Sequence, residues 1–387
     1  MGGEHDRCSD QDVPGSDGVD EAAIQSITHP TRQIVVRYLS ATGAVGLDRL
    51  ALVVAGVSMR ERGKQVATAA GYRRLRTELH HVHLPHLDSA GLVEYDTDTH
   101  RVGAGSIPTA ILDLIDETRA RERSQQHPET ADDRPVQFDT EPDAIGRISS
   151  LQELLTAVER ARTTVRLFSP EPDEDALAGF ITRNVRVEYE PLPSSLAPGF
   201  AVVERDDGLA LCRLDILTSV NAPPTDPPWD EEIDRTAYRQ FLGLFRDRPF
   251  ATTDRKQLLA TSREIEDRAW RTGRGEIHAG FQSLSVFRTQ RRLYRRLGEK
   301  PGLDVHVYGR PDWTPPAVDS VTTIAIDNQE IGEFWFVVYR DATDTTATAL
   351  VAEERQPDEY YGVWTYDAET VDRLTTYLRE SYPAAEE

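Results

Sequence analysis

The chain has 387 residues, enough on length alone for two or three domains of roughly 100–200 residues each. Its 66 acidic residues against 44 lysines and arginines give a net charge of -22. No run approaches the roughly 18 apolar residues of a membrane span, the N-terminus lacks the basic and apolar segments of a signal peptide, and two cysteines (Cys8 and Cys212) supply no disulfide framework, so a cytoplasmic protein without a membrane partner is expected.

In chain order, residues 1–20 are rich in Gly, Asp and Ser and read as a disordered acidic tail. Residues 21–116 carry mostly helical patterns and form a first domain. Residues 117–143 are polar, Pro-containing and aperiodic, as a linker is. Residues 144–383 alternate helical and strand-like runs. TVRLF, VRVEYE, FAVVERD, LDVHVYG, WFVVYRD and ALVAEE are the strand candidates. The loop NAPPTDPPWDEE (221–232) holds too many prolines for regular structure. Within this region a helix leading to Val165-Arg166-Leu167-Phe168 and then to VVER is echoed by a helix leading to Val305-His306-Val307-Tyr308 and then to VVYR. Two similar α/β lobes account for the echo; chance similarity of two amphipathic segments is the other reading.

The first domain opens with THPTRQIVVRYL, where Thr28 can cap a helix, Pro30 suits its first turn, and Ile34, Val35, Tyr38 and Leu39 form an apolar stripe. GLDRLALVVAG gives a second helix. A third spans 73–90, with Gly91 ending it, and Leu92–Tyr95 begins a β-hairpin turning at DTDTHRVG. The third helix holds His80, His81, His83 and His86. Its periodicity turns Leu79, Val82, His83 and Leu87 inward and His80 and His81 outward, while Pro85 breaks one backbone bond. Zinc wants about four convergent ligands, often thiolates, and no cysteine is near, so no metal site is expected here. From Arg60 to Gly91 six basic residues face three acidic ones, a local excess of positive charge in an acidic chain. Such a patch suits phosphate.

The wording HPTRQIVVRYL … LHHVHLPHLDSAGLVEYD resembles the winged-helix domains that precede sensor modules in haloarchaea. The resemblance covers about 90 residues and implies an α+β winged helix-turn-helix. On it, Arg73, Arg74, Arg76, Thr77, His80 and His81 are the candidate DNA contacts, with Arg101 in the wing. A solvated face with internal ion pairs is the alternative. Winged helices also dock proteins, so fold alone does not fix the partner. The scarcity of lysine (only Lys64, Lys256 and Lys300) with abundant carboxylates resembles proteins of salt-loving archaea. At ~1 M salt the Debye length is about 3 Å, which screens the self-repulsion of such a chain.

Further on, IHAGFQSLSVFRTQRRLYRRL, LDVHVYGRPDW, EFWFVVYRD and YYGVWTYD together resemble the DICT sensory domain, over roughly 148–383. That resemblance implies a signalling module with no catalytic residues to carry over. The sequence agrees in lacking GxSxG, HExxH, a P-loop and GxGxxG, so no enzyme and no cofactor are expected. RTGRGEIHAG (271–280) reads as a flexible turn before a helix, and His278 and His306 as isolated. The aromatics Trp270, Phe281, Trp313, Trp335, Trp364 and Tyr366, with Gln282, are the candidate walls of a small-molecule pocket; core packing is the alternative. Arg288, Arg291, Arg292, Arg295 and Arg296 crowd one helix. They are expected to pair with the protein's own acidic surface or a partner's, an anionic ligand being the other option.

The expected whole is multidomain: an α+β winged helix followed by an α/β sensory domain with a mixed sheet in two similar lobes. The expected function is a homodimeric DNA-binding regulator answering an unknown small-molecule or protein effector. The competing reading is a signalling adaptor whose two domains bind proteins. A metalloenzyme built on the histidine cluster ranks below both.

Overall fold

The computed structural model describes residues 21–64, 66–125, 148–158, 163–172, 185–206, 208–230, 234–252, 255–318, 320–341 and 347–384. The expected tail 1–20, with Cys8, lies outside these, as does the linker beyond 125. Contacts divide the chain into two units: Met1–Val54 with Arg76–Gln126, and Ala55–Leu75 with His127–Glu387. The division falls inside two helices.

The first stretch runs α1 (Glu21–Ser26), α2 (Pro30–Thr42), β1 (Val45–Gly46), α3 (Leu47–Glu61), β2 (Val66–Thr68) and α4 (Ala69–Glu78). A π turn over Leu79–His83 leads into α5 (Leu84–Ser89), then β3 (Val93–Asp96), β4 (Arg101–Ala104) and α6 (Thr109–Gln125). The expected cap at Thr28 moves one residue on: His29 caps α2, its Nδ1 accepting from the Thr31 N–H at 3.2 Å. Pro30 then follows at the first helical position, where its missing N–H costs nothing. β1, β4 and β3 form an antiparallel sheet in that order. Ile34, Val35, Tyr38, Leu39, Leu47, Leu50, Leu84 and Leu87 are buried, and Arg37 of α2 pairs with Asp116 of α6 at 2.9 Å. α6 carries helix through 117–125, where a linker was expected.

Pro85 explains the π turn. It has no N–H to return to the preceding turn, and the Leu84 N–H instead donates to the Leu79 carbonyl five residues back. The wider turn shifts the helical phase. Val82, expected inward, is 57% exposed, while Leu79, His83, Leu84 and Leu87 are buried. Gly91, with φ 68°, ends the helix in the left-handed region that a side chain resists.

The second unit contains α7 (Leu151–Val158), β5 (Thr163–Ser169), β6 (Val185–Pro191), β7 (Phe200–Arg205), β8 (Gly208–Arg213), α8 (Leu214–Thr218) and α9 (Thr236–Leu244). After these come β9 (Pro249–Thr252), α10 (Arg255–Thr272), β10 (Arg274–Ser283), α11 (Leu284–Gly298), β11 (Gly302–Arg310) and β12 (Thr322–Ala325). The chain finishes with α12 (Gln329–Glu333), β13 (Phe334–Arg340), β14 (Ala347–Gln356), β15 (Glu359–Thr365) and α13 (Ala368–Ser381). The six expected strands all form. RTGRGEIHAG, read from its glycines as a turn, is instead the start of β10, inside a seven-stranded mixed sheet.

Two mixed sheets result, ordered β2-β8-β7-β5-β6 and β12-β11-β10-β13-β14-β15-β9. β6-β5-β7-β8 and β11-β10-β13-β14 share one pattern. In each, the second strand pairs in parallel with the first and antiparallel with the third, and the third pairs antiparallel with the fourth. The sequence echo matched Val165–Phe168 to Val305–Tyr308. The pairing instead makes β5 the counterpart of β10, and β6 that of β11. Apolar side chains of both sheets and of α9, α10 and α11 form one core, including Val203, Phe241, Phe281, Tyr294 and Trp335. The other face of the larger sheet packs Tyr308, Phe336 and Val338 with Leu151, Leu155, Val371, Leu374 and Leu378 of α7 and α13.

Candidate functional site

α4 carries Arg73, Arg74 and Thr77 exposed, and Arg76 half-buried and paired with Asp48. His81 is exposed on the π turn. His80 is half-buried, its Nδ1 within 2.5 Å of the Tyr95 hydroxyl. Its ring lies 4.4 Å from His81 and 5.2 Å from His100 in the β3–β4 turn. Burial first, then the neighbouring His81, His100 and Arg76, holds His80 below the usual imidazole range, so it faces neutral pH uncharged. Arg101, at the start of β4, is exposed and reaches the Ala44 carbonyl at 3.4 Å. His83 is buried against His29 at 4.6 Å, and its Nδ1 has no hydrogen-bond partner among the described residues.

Of the expected pocket aromatics, only Phe281 and Trp335 make a ring contact with each other among the described residues. Phe281 and Trp335 meet in the core at 6.1 Å, and the Trp335 indole donates to Ser262 Oγ at 3.0 Å. Trp364 packs on Phe250 and Phe241 and donates to the Leu242 carbonyl at 2.7 Å. Trp270 pairs edge-on with Trp229, with Lys300 Nζ 3.8 Å above its ring. Tyr366 lies under Arg268 at 4.6 Å, and burial pushes its phenol up to about 12. Gln282, at φ 59°, donates to Glu354 at 2.6 Å. Trp313 is half-buried against the core and has no ring partner among the described residues.

Beneath them α10 buries an unusual number of polar groups: Thr261, Ser262, Arg263, Glu264, Glu266 and Asp267. Arg239 of α9 donates to Glu264 at 2.7 Å and to Asp267 at 3.3 Å. Tyr294 donates to Glu266 at 2.6 Å, and Arg263 bonds Glu266, Gln290 and the Thr225 carbonyl. Buried charges survive only when paired in this way. Pairing of the α11 arginines with the protein's own acidic surface is not seen among the described residues. Arg288, Arg292 and Arg295 are exposed, and among the described residues neither they nor Arg291 meets a carboxylate. Arg296 instead covers the Trp229 ring at 4.2 Å.

Sequence reading missed one cluster. His278 and His306, taken as isolated, sit opposite each other on the parallel strands β10 and β11, their rings stacked 4.6 Å apart and within 10° of parallel. His278 is fully buried. Its Nδ1 meets the Tyr308 hydroxyl at 2.8 Å and its Nε2 meets Glu276 at 3.1 Å. Arg379 of α13 pairs with Glu276. Burial opposes charge on Glu276, but the His278 hydrogen bond and the His278 and Arg379 charges outweigh it and hold the carboxyl low. Burial, then His278, pushes His306 down to about 4. Among the described residues, this is the one group of three metal-capable side chains whose donor atoms all lie within 4.8 Å of one another. The signal was the period of two in Glu276-x-His278, which shares a face only if the segment is a strand.

Comparison with known protein families gives two matches. Residues 240–355 match the DICT family, described as a sensory domain in diguanylate cyclases and two-component systems, and residues 25–103 match a domain of unknown function, DUF7344. Over residues 240–355 the chain is therefore similar to a sensory DICT domain, within a multidomain α+β architecture with a helical N-terminal region and mixed C-terminal sheets. No curated protein and no solved structure matches the chain. No helix among the described residues is long and apolar enough to cross a membrane.

Proposed function

We propose that the chain is a DNA-binding transcriptional regulator, with a winged helix at its N-terminus governed by the DICT domain. The observation that carries the reading is the order of elements after α2. A short strand β1 is followed by α3, α4 and α5, and the hairpin β3–β4 closes onto β1 in the order β1-β4-β3. This order supports the winged-helix reading, in which the helical run before the hairpin would enter the major groove and the hairpin reach alongside. Arg73, Arg74, Arg76 and Thr77 lie on α4, His80 and His81 on the π turn that joins it to α5, and Arg101 at the start of β4 in the hairpin. Guanidinium forks suit phosphate and guanine, and a neutral His80 can donate or accept at a base edge.

The coupling is covalent. β2 is an edge strand of the second unit, paired with β8 at Val66↔Cys212, Ala67↔Leu211 and Thr68↔Ala210. α4 begins at Ala69, with no residue between. An effector that binds two states of that sheet unequally therefore acts on the backbone that starts the DNA-facing helix. A homodimer, reading two half-sites, fits the same scheme.

The test is a salt series. Binding of the full chain to duplex DNA should weaken linearly in log affinity against log salt, and Arg101→Ala should reduce the slope by about 1. Affinity independent of salt, or no binding at any salt, would overturn the reading.

A further inference from the structure

We propose that Glu276, His278 and His306 form a binding site for a divalent transition-metal ion in the C-terminal unit. This goes beyond the regulator reading and does not depend on DNA binding. Two imidazoles and one carboxylate form a donor set of two nitrogens and one oxygen. Such a set suits zinc, cobalt, nickel or ferrous iron over magnesium or calcium, which want oxygen alone. Three protein ligands leave the remaining positions for water or an exchangeable ligand, as at open zinc sites.

The surroundings fit. Metal-binding histidines usually anchor their second nitrogen on a fixed group, and Tyr308 holds His278 Nδ1 in that way while Nε2 faces Glu276. His278 is fully buried and His306 half-buried, and one donor atom of each already lies within 4.8 Å of the other and of a Glu276 oxygen. Arg379 neutralises Glu276 when no cation is bound. It lies on α13 with its side chain 55% exposed, free to withdraw into water or to keep one carboxylate oxygen.

The fold does not need these groups. Matching the antiparallel partners Arg205 and Arg340 of the two sheets, Thr163 of β5 stands where β10 has Glu276, and Val165 where it has His278. Val187 of β6 correspondingly stands where β11 has His306. A strand pair of the same order and sense is thus built with one threonine and two valines. Burying a histidine and a glutamate at these positions costs solvation that a purely structural role would not require.

The full chain, stripped of metal, is titrated with Co²⁺ alone while visible absorption and bound metal are read. One Co²⁺ per chain is expected, displaced by Zn²⁺. His306→Gln should abolish the signal, and Tyr308→Phe should weaken binding by about 10–100-fold through loss of the outer hydrogen bond. His100→Asn, at the other histidine cluster, should bind like the unmodified chain. Far-UV circular dichroism checks that each variant folds; His306, half-buried, carries the test if Tyr308→Phe does not. Absence of Co²⁺ binding by the unmodified chain, or undiminished binding by folded His306→Gln, would overturn the proposal. Loss confined to His100→Asn would do so as well.

Discussion

Arg239 and Glu264 form an ion pair of 2.7 Å in which neither side chain is more than 7% exposed. Glu264 Oε2 has no hydrogen-bond partner among the described residues, and Asp267 lies close enough to share the same guanidinium. Burial, and then the proximity of Glu264, raises the Asp267 carboxyl above its ordinary value against the pull of Arg271 and Arg239. Two buried carboxylates thus share the Arg239 guanidinium, with Arg271 2.8 Å from Asp267 and Arg268 3.6 Å from Glu264 as further partners.

Arg239→Met should destabilise the C-terminal unit by about 3–5 kcal/mol, because it leaves a buried carboxylate without its hydrogen-bonded partner. Adding Glu264→Gln to that variant should restore part of the loss. All five tryptophans lie between Trp229 and Trp364, so urea unfolding followed by tryptophan fluorescence reports on this unit alone. Equal stability of Arg239→Met and the unmodified chain would mean that water already solvates the pair.

Glycine 280 makes a second test of packing. A Cβ there would sit 2.2 Å from the Phe336 ring, inside the sheet. Gly280→Ala should cost about 1–3 kcal/mol in the same urea assay, since neither strand can give way. Gly71→Ala is the contrast: its Cβ meets nothing nearer than Thr68 Oγ1 at 3.9 Å, and in a helix interior it should gain up to about 1 kcal/mol.

The same glycines explain what the sequence hid. α11 was legible because its apolar residues recur at helical spacing, and β13 because Phe334–Tyr339 is a continuous apolar run buried on both faces. β10 was not. Gly273, Gly275 and Gly280 read as loop punctuation, yet Gly275 is there because the Arg340 carbonyl would lie 2.2 Å from its Cβ, and Gly280 because Phe336 covers it. Once the strand was missed, His278 and His306 had no common frame, since the register of two parallel strands is set by tertiary packing and not by local pattern. Val82 failed for a different reason: a π turn shifts the helical phase after Leu79, and a fixed period of 3.6 cannot anticipate it. The strand β2 was hidden because three residues carry too little pattern, and its partner β8 is remote in sequence.

His83 predicts a pH dependence in the N-terminal unit. Burial first, then His29, Arg32 and His86, depress its pKa from 6.5 to about 4, with Glu78 opposing them. Between those values the unfolded chain binds a proton that the folded chain does not. Stability is therefore full above about pH 6.5 and falls as the pH drops toward 4. Amide hydrogen exchange in α2 and α5 should accelerate over that window. In His83→Leu the acceleration should be smaller, leaving only what carboxylates contribute. An identical pH profile in both proteins would remove His83 as the titrating group.

The central claim is that α4 and the π turn after it read DNA. It is tested most directly by mapping where the tagged full chain sits on the chromosome, in the salt of its own cell, beside an Arg73/Arg74/Arg76 triple alanine variant. Discrete sites for the unmodified chain, lost in a variant that still accumulates as folded protein, are the predicted result. A flat profile for both would contradict the account and make the chain an adaptor whose domains bind proteins.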